Sequence, residues 1–575
     1  MTDSSSLPND RRVAYFSMEI ALRSDLPTYA GGLGVLAGDM LRSAADLGVP
    51  IVGVTLLYRK GYFRQRLDSQ GIQEEEPEVW KPEDVLEPLS SVVALELEGR
   101  RIQIRAWRYT LAGISGATVP VYLLDTDLSE NDPADRSLTD YLYGGDPPYR
   151  LRQEAVLGMG GVKILNNLGH TGIENYHLNE GHSALLALAL LEQKIGNSRL
   201  GTAAETDIEA VRQRCVFTTH TPVPAAFDKF PRELVNRVIG SDRAAALDIT
   251  ACCPDGTLNM TYLALRFSRY INGVAMHHGE VSRGLFPNYP VRAITNGVHA
   301  VTWAAPQFQE LYDRHVPEWR KDNLYLRYVI GVPLDEIRRA HAAAKSALLA
   351  ELKRATGAEF DPAILTIGFA RRATAYKRAD LLFTNLDRLK SIAAQGGPFQ
   401  VIFGGKAHPN DLEGKAMIRS VFQAARDLAG SLKVVYIPDY DMRWAQLMTS
   451  GADLWLNTPH RPFEASGTSG MKAALNGVPS LSILDGWWME GCVEGSTGWA
   501  IGKEEDLPED HRTEALSLYD KLERVIVPMF YERPGAFSEV MRSTIALNGS
   551  FFNTERMMDQ YLSNAYTGCM NHSRG

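Results

Sequence analysis

ILTIGFA (364–370) is the first of five short apolar runs in the second half of the sequence; the others are FQVIFGG (399–405), LKVVYIP (432–438), ADLWLNT (452–458) and SLSILDG (480–486). Each run places Val, Ile, Leu or Phe at neighbouring positions, as strands do when a parallel sheet buries both of their faces. Amphipathic and glycine-rich segments alternate with the runs. This alternation predicts βαβ units and a doubly wound α/β fold.

The first half of the chain shows the same rhythm. A glycine-rich stretch, YAGGLGVLAGDMLRSAADLG (29–48), is typical of a loop that enters a helix. Four strand-like runs accompany it: VAYFSME (13–19), VPIVGVTLLY (49–58), VPVYLLDTD (119–127) and CVFTTHT (215–221). The first half therefore predicts a second sheet of the same kind.

A polar, helical region at about 305–355 separates the two series of strands. We therefore expect two Rossmann-like doubly wound domains, residues 1–300 and 301–575, that face each other across a deep cleft. The last segment, RMMDQYLSNAYTGC (556–569), is expected to form a helix that packs back on the first domain. Ligands bind beyond the carboxyl ends of the strands in such sheets, so the cleft is the expected site.

The composition is that of a globular enzyme, with 45% hydrophobic and 22% charged residues in a chain of 575. The 60 Lys and Arg residues against 69 Asp and Glu give a formal net charge of −9, which does not suit nucleic acid as a partner. The sequence contains no HExxH, P-loop or GxSxG motif. Zincins, P-loop NTPases and α/β-hydrolases are therefore not the leading hypotheses.

The five cysteines are scattered and odd in number, and none has the spacing of a metal site. They predict a reducing compartment and no bound metal. The amino-terminal stretch MTDSSSLPNDRR has no apolar signal core, and the best apolar run, about 184–191, is too short to span a bilayer. The sequence therefore predicts a cytoplasmic protein without a membrane partner.

The segment EASGTSGMKAALNG (464–477) follows a predicted strand and opens a helix. Its glycines and hydroxyls could cradle a phosphate with backbone amides. Lys472 falls in the first helical turn, where it is either a solvated lysine or a buried amine with a perturbed pKa that forms a Schiff base.

Two further loops carry signals for anions. FARRATAYKRAD (369–380) places Arg371, Arg372, Lys377 and Arg378 at a strand's carboxyl end, which is either a solvated charge run or an anion clamp. GGLG (31–34) lies between a strand and a helix, and is either a tight turn or a second anion cradle.

Polar residues recur at other strand ends. Glu180 and His182 lie in LNEGH, His220 in TTHTPVP, and Asn296 and His299 in AITNGVHAVTW. Any one of them alone is more often a hydrogen-bonded structural group. Their recurrence at loops expected to face one cleft points to a shared site.

Taken together, these motifs resemble the glycogen/α-glucan phosphorylase family, especially its short bacterial members. The resemblance extends from VAYFSMEIAL near the start to DGWWMEG at 485–491, and GGLGVLAGD, LNEGH, THTPVP, ITNGV and RRATAYKR occur in the family's order. EASGTSGMKAALNG is similar to the family's lysine motif for pyridoxal 5′-phosphate. The resemblance implies a GT-B arrangement of the two domains and a homodimer as one possible assembly.

The resemblance also implies a role for each matching residue. Lys472 would hold pyridoxal 5′-phosphate as a Schiff base, and the 5′-phosphate would lie among Gly467, Thr468, Arg371 and Gly32. Arg372 and Lys377 would grip the substrate phosphate. The residues implied to bind or line the site of the transferred glucosyl unit are Asn296, Glu464, Ser466, His220, Glu180 and His182. Lys472, Arg372, Lys377 and His220 would form the catalytic group.

The family's reaction transfers a glucosyl unit from the end of an α-glucan to inorganic phosphate. The cofactor phosphate relays a proton to the substrate phosphate, and glucose 1-phosphate forms with retained configuration. Two adjacent phosphates repel each other, which requires a pocket dense in cations and N–H groups. The sequence departs from the pattern at Thr374 and Ala375, where many members have a His-Glu pair, and at Ser469 and Gly470, which replace Gly-Asn. The stretch 125–150 is the candidate gate.

Two other functions remain open at this point. A nucleotide-sugar-dependent retaining glycosyltransferase, such as a glycogen synthase, shares the two-domain plan. Such enzymes often carry a second glutamate eight positions after the first, where this chain has Lys472 after Glu464. A catalytically silent glucan-binding protein would be expected to lack Lys472 or Arg372, and both are present.

Overall fold

A computed structural model describes residues 11–223, 227–249, 252, 256–503 and 510–566. The polar segment 1–10, Pro224 of the THTPVP motif, and Cys253 and Cys569 lie outside the described residues. None of the helices in the described ranges combines the length and the apolar character needed to cross a membrane.

Nine of the thirteen strands described in the first half of the chain form the first sheet, and the other four form two ribbons. The strands of this half of the chain are β1 (Val13–Ser17), β2 (Ile51–Leu56), β3 (Arg64–Leu67), β4 (Gln73–Glu76), β5 (Glu87–Leu97), β6 (Arg100–Ala112), β7 (Thr118–Asp125), β8 (Asn175–Asn179), β9 (Cys215–Thr218), β10 (Lys229–Pro231), β11 (Thr257–Asn259), β12 (Tyr270–Gly273) and β13 (Val291–Ala293). The order of the sheet is β13-β12-β9-β8-β1-β2-β7-β6-β5. The strands from β13 to β7 are parallel, and β6 and β5 add an antiparallel edge. The pairs β3-β4 and β10-β11 are separate antiparallel ribbons.

The second sheet is parallel throughout. Its strands are β14 (Leu365–Ala370), β15 (Phe399–Gly404), β16 (Lys433–Ile437), β17 (Leu454–Asn457), β18 (Ser480–Ile483) and β19 (Gly498–Ile501). They follow the order β16-β15-β14-β17-β18-β19. Counted from β14, this order is 3-2-1-4-5-6, the order of a doubly wound sheet whose switch point lies between the first and fourth strands.

Helices connect the strands in both halves. Those of the first half are α1 (Gly32–Asp46), α2 (Pro133–Arg136), α3 (Pro147–Ala155), α4 (Gly161–Asn167), α5 (Leu186–Ile195), α6 (Glu205–Arg212), α7 (Arg232–Ile239), α8 (Ser241–Ile249), α9 (Met260–Arg266) and α10 (Met276–Leu285). Those of the second half are α11 (Ala300–Trp303), α12 (Pro306–His315), α13 (Leu334–Thr356), α14 (Leu386–Gln395), α15 (Leu412–Asp427), α16 (Met442–Gly451), α17 (Ser469–Ala474), α18 (Trp488–Gly491), α19 (His511–Lys521), α20 (Val527–Glu532), α21 (Pro534–Thr544) and α22 (Thr554–Asn564).

The prediction of a mixed α/β fold with parallel sheets is confirmed. Strands β1, β2, β8, β14 and β15 are buried at every position, because helices cover both faces of each sheet. The antiparallel edge was not predicted. In β5 and β6 exposed and buried residues mix along the strand, so neither strand contains the continuous apolar run that marks the others.

The last helix lies against the first sheet. The Thr554 hydroxyl, at the start of α22, is 2.6 Å from the hydroxyl of Ser43 in α1. The Tyr561 hydroxyl accepts a hydrogen bond of 3.1 Å from the side-chain amide of Asn272, next to the end of β12. The chain therefore returns, after the second sheet, to the elements with which it began.

Candidate functional site

A cavity of about 820 Å³ opens where the carboxyl ends of both sheets meet. Its walls come from the loops that follow β1, β8, β9 and β13 in the first sheet and β14 to β17 in the second. The residues singled out from the sequence that line this cavity are Gly32, Glu180, His182, His220, Asn296, Arg371, Arg372, Lys377, Glu464, Ser466, Gly467, Thr468 and Lys472. The fold thus brings these thirteen residues together, in line with the rule that ligands bind beyond the strand ends of open sheets.

The cationic loop and the glycine loop meet at the switch point of the second sheet. Arg371 directly follows β14, and Glu464 follows β17, the neighbouring strand. Oε2 of Glu464 lies 2.6 Å from both Nη2 of Arg371 and Nζ of Lys377. Burial alone would raise the Glu464 pKa, but the two cations hold that pKa at about 2. Glu464 is therefore ionised at neutral pH.

The site holds one cation without a carboxylate partner and one guanidinium nitrogen without a hydrogen-bond partner among the described residues. Arg372 is exposed to the cavity, and among the described residues no carboxylate lies within ion-pair distance of its guanidinium. Nη1 of Arg371 is buried and has no hydrogen-bond partner in the described chain. Gly31 packs against Arg372, because a Cβ at position 31 would lie 3.1 Å from Cδ of that side chain. These groups make this wall of the cavity suited to an anion.

Lys472 is buried at the floor of the glycine loop, with 6% of its surface exposed. Its Nζ lies 4.0 Å from the centroid of the Trp303 ring, and no described residue offers it a hydrogen bond. Burial lowers its pKa to about 8, against the opposing charge of Asp39. The solvated-lysine interpretation is therefore wrong, and the amine is partly neutral near physiological pH.

The glycine loop needs its glycine at position 467. Gly467 has φ of +83°, and a Cβ there would lie 3.2 Å from Cδ of Glu464. Thr468 is the N-cap of α17, and the N–H groups of the two residues donate to no other described group. Gly486, with φ of +55°, packs against the carbonyls of Ser466 and Glu464 and supports the loop from behind.

On the opposite wall, Glu180 organises the loop after β9. Its carboxylate accepts hydrogen bonds from the N–H of Gly181 (3.1 Å), the N–H of His220 (2.7 Å) and the hydroxyl of Thr221 (3.0 Å). Burial raises the Glu180 pKa, and these donors together with His182 oppose that rise.

His220 is a neutral histidine. Its Nε2 lies 2.6 Å from Oδ1 of Asn179. Because an amide oxygen only accepts, Nε2 carries the proton and Nδ1 is left as an acceptor. Burial and neighbouring histidines lower the His220 pKa to about 3, so this side chain binds as a neutral acceptor and not as a cation.

Five buried polar atoms on the cavity's lining residues have no hydrogen-bond partner in the described chain. They are Nη1 of Arg371, Nδ1 of His182, Oγ1 of Thr374, Oδ1 of Asn296 and Oγ of Ser466. An unsatisfied buried polar group costs about 1–3 kcal/mol, and such groups are normally paired. Their concentration around one cavity indicates a ligand rich in hydroxyls and oxygen atoms.

Two sequence interpretations need correction. His299 does not face the cavity: its Nε2 lies 2.7 Å from Oδ2 of Asp46 and its Nδ1 lies 2.7 Å from Oγ1 of Thr302, because it caps α11. Arg378 is buried and pairs with Glu514, so it does not belong to the anion clamp.

Other residues of the site were not predicted. Glu19 follows β1 and accepts hydrogen bonds from the N–H of Ala30 at 2.6 Å and the hydroxyl of Tyr143 at 2.9 Å. Its place after a strand within VAYFSME could have identified it. Trp303 lies far from the lysine motif in sequence, and only the folded chain reveals their contact. Residues 143–147 and Arg150, within the candidate gate, border the cavity.

Comparison with known proteins agrees with this architecture. A profile of the carbohydrate phosphorylase family matches residues 22–93 and 240–498. A maltodextrin phosphorylase from Thermococcus litoralis is 37% identical over 96% of this chain and 70% of its own length. A glycogen phosphorylase from Mycobacterium tuberculosis has the same identity and coverage, and one from Aquifex aeolicus is 35% identical over 96% of this chain and 86% of its own. The chain therefore belongs to the carbohydrate phosphorylase family.

Proposed function

We propose that this protein is an α-glucan phosphorylase that transfers a glucosyl unit from the non-reducing end of an α-1,4-glucan to inorganic phosphate, giving glucose 1-phosphate with retained configuration. The observation that carries the proposal is a single cavity that combines Arg372, which has no carboxylate partner among the described residues, with unsatisfied polar atoms and a buried lysine whose pKa is lowered. The names of the relatives, maltodextrin and glycogen phosphorylase, support it.

We also propose that the two sheets belong to two Rossmann-like domains, residues 1–300 and 301–575, in a GT-B arrangement. The doubly wound order of the second sheet and the cavity between both sets of strand ends support this division. The contacts of α22 with α1 support the return of the last helix to the first domain. In this arrangement the first domain would form the glucan side of the cleft and the second domain the phosphate side, with Glu464 and Ser466 of the second domain also reaching the sugar.

The residues present fit pyridoxal 5′-phosphate as the cofactor. Lys472 offers a buried amine whose pKa is lowered to about 8, as required of a lysine that reacts with an aldehyde. The unpaired N–H groups of Gly467 and Thr468, the unsatisfied Nη1 of Arg371 and the open backbone at Gly32 suit the 5′-phosphate. When bound, the cofactor supplies a phosphate that exchanges a proton with the substrate phosphate.

Arg372 and Lys377 would bind the substrate phosphate. Arg372 is an exposed cation of the cavity wall, and Lys377 is held in place by Glu464. Two phosphates within one pocket repel each other, and an arrangement of fixed cations offsets that repulsion without reorganising during the reaction. No pair of acidic and basic carboxylates is needed, so the glycosidase scheme does not apply.

The transferred glucosyl unit would lie between the two walls. Oδ1 of Asn296, Oγ of Ser466 and Nδ1 of His220 are positioned to meet sugar hydroxyls. Oε2 of Glu464 binds two cations, which leaves Oε1 to accept from a further hydroxyl. Glu180 and His182 line the same side, where Glu180 fixes the loop that carries His220.

A test of function compares two donors. The purified chain is given maltodextrin with inorganic phosphate in one sample, and maltodextrin with nucleotide sugars in a second. Release of glucose 1-phosphate in the first sample alone supports the phosphorylase. Chain extension that requires the nucleotide sugar would replace the proposal with a glycogen-synthase-like transferase, and glucan binding without turnover in either sample would indicate a silent binding protein.

A further inference from the structure

The Lys472 amine contacts a part of the chain that is distant from it in sequence. Its Nζ lies 4.0 Å from the centroid of the Trp303 ring, and Trp303 ends α11, outside the second sheet. A cation over an indole face is stabilised by the ring quadrupole, and the stabilisation grows when both groups are desolvated. The two residues are 6% and 1% exposed, so this desolvated contact offsets part of the cost of burying the amine.

Trp303 is in turn held by a buried carboxylate. Its indole N–H donates to Oδ2 of Asp39 at 2.6 Å, a short charge-assisted hydrogen bond. Asp39 lies in α1 and is completely buried. An anionic acceptor on the indole N–H fixes the plane of the ring and increases the electron density on its face. The carboxylate therefore acts on the face that meets Lys472.

We propose that Asp39 is a positioning residue for Lys472: acting through Trp303, it fixes the direction of the amine and sets the pH at which the amine loses its proton. The importance of this amine for catalysis rests on the proposed function. The protonation itself can be measured without substrate or cofactor.

The other charged groups near Asp39 are already engaged. Nη1 of Arg42 lies 3.2 Å from Oδ1 of Asp39, and its Nη2 donates to the carbonyls of Ala21 (3.0 Å) and Leu22 (2.6 Å). The backbone N–H of His299 donates to Oδ2 of Asp39 at 3.2 Å, and its ring contacts Asp46. Within the described ranges, no carboxylate lies within ion-pair distance of Lys472. The negative charge of Asp39 opposes the effect of burial on the pKa of that amine.

The test uses the full-length protein after bound aldehydes have been removed with a carbonyl reagent. Wild type and variants are treated with cyanate, which modifies neutral amines, over a pH range of about 6 to 10. The modified fraction of the Lys472 peptide is measured by mass spectrometry. Asp39→Asn keeps an acceptor for the indole but removes the charge. We therefore expect the midpoint, the pH at which half of the Lys472 peptide is modified, to fall by about one pH unit.

Asp46→Asn is the matched control. Asp46 is the next carboxylate of α1 and binds the ring of His299 without contacting Trp303, so its loss should leave the midpoint of Lys472 unchanged. An unchanged midpoint in a folded Asp39→Asn variant would overturn the proposal. A shift of equal size in Asp46→Asn would also overturn it, because the effect would then be one of general charge.

A double-mutant cycle tests the route through the indole. Trp303→Phe removes the N–H and should lower the midpoint in the same direction, which also provides a reading if Asp39→Asn fails to fold. When Asp39→Asn is added to Trp303→Phe, the further shift should be less than about half of its value in wild type. A full, additive shift would show that Asp39 does not act through Trp303.

The outcomes separate this inference from the proposed function. If Lys472 of the wild type never takes up pyridoxal 5′-phosphate, the proposed function fails, whatever the cyanate midpoints are. If Lys472 takes up the cofactor but its midpoint is unchanged when Asp39 is replaced, only the positioning role fails.

Discussion

Nη2 of Arg371 lies 2.6 Å from Oε2 of Glu464, and this contact joins the ends of β14 and β17 at the point where the strand order of the second sheet reverses. The same oxygen holds Lys377. One buried carboxylate therefore positions two of the cations that we propose bind phosphate groups. Its place at a switch point explains why residues about ninety positions apart in sequence form one surface.

Removal of the Glu464 carboxylate should destabilise the fold and increase the affinity of the site for anions. Glu464→Gln leaves Arg371 and Lys377 buried without their anion, and breaking a buried pair in this way costs about 3–5 kcal/mol. Denaturant unfolding should show that loss. Added inorganic phosphate should then raise the melting temperature of the variant more than that of wild type. A smaller rise in the variant would mean that the cations do not face the phosphate site.

Arg372→Ala should raise the KM for phosphate. A charge-assisted contact is worth about 1.5–3 kcal/mol, which corresponds to a rise of roughly ten- to a hundredfold. Arg443→Ala is the control, because Arg443 is an exposed arginine of α16 that pairs with Glu351 and does not line the cavity. Phosphate kinetics that are the same in both variants would show that the anion clamp has been assigned to the wrong residue.

Lys472→Ala should lose the cofactor and retain the fold. The side chain is buried but contributes no hydrogen bond to the described chain, so we expect a change in melting temperature of only a few degrees. Dialysed variant protein should contain no pyridoxal 5′-phosphate by absorbance. Full activity of this variant without added aldehyde would contradict the assignment.

The raised pKa of the Asp485 carboxyl predicts that the stability of the fold depends on pH. This carboxylate accepts the N–H of Glu464 at 2.9 Å, and burial raises its pKa to about 7. In the unfolded chain the value is about 3.9. The native state therefore holds this proton more tightly, and the free energy of unfolding should fall as pH rises from about 4 to 7. Asp485→Asn should flatten that slope in urea titrations, and an identical slope in the variant would exclude Asp485 as its source.

Strands β14 to β18 of the second sheet could be predicted from the sequence because each contains a continuous apolar run, as in ILTIGFA, but the sixth strand, β19, was not predicted. The edge strand β5 could not, since its partly exposed residues interrupt that run. The family and a mixed α/β fold with parallel sheets were both predicted and are confirmed, whereas the GT-B arrangement stays a proposal. The division at residue 300 and the role of each site residue stay predictions.

The limits of sequence reasoning at the site come from tertiary packing. Arg372 and Arg378 lie in the same cationic segment, yet one faces the cavity and the other is buried against Glu514. The neighbouring sequence does not distinguish the two arginines. They differ only because folding brings Glu514 of α19 against Arg378. Trp303 contacts the Lys472 amine and Asp39 binds the Trp303 indole, yet no sequence motif connects either residue with the lysine segment.

The central claim is that the cavity is built around a lysine that carries pyridoxal 5′-phosphate. The most direct measurement is an absorbance spectrum of the purified protein, followed by borohydride reduction and peptide mapping. A pyridoxal band that becomes fixed to the peptide containing Lys472 is the predicted result. The absence of a band after addition of pyridoxal 5′-phosphate, or its fixation to another lysine, would contradict the account.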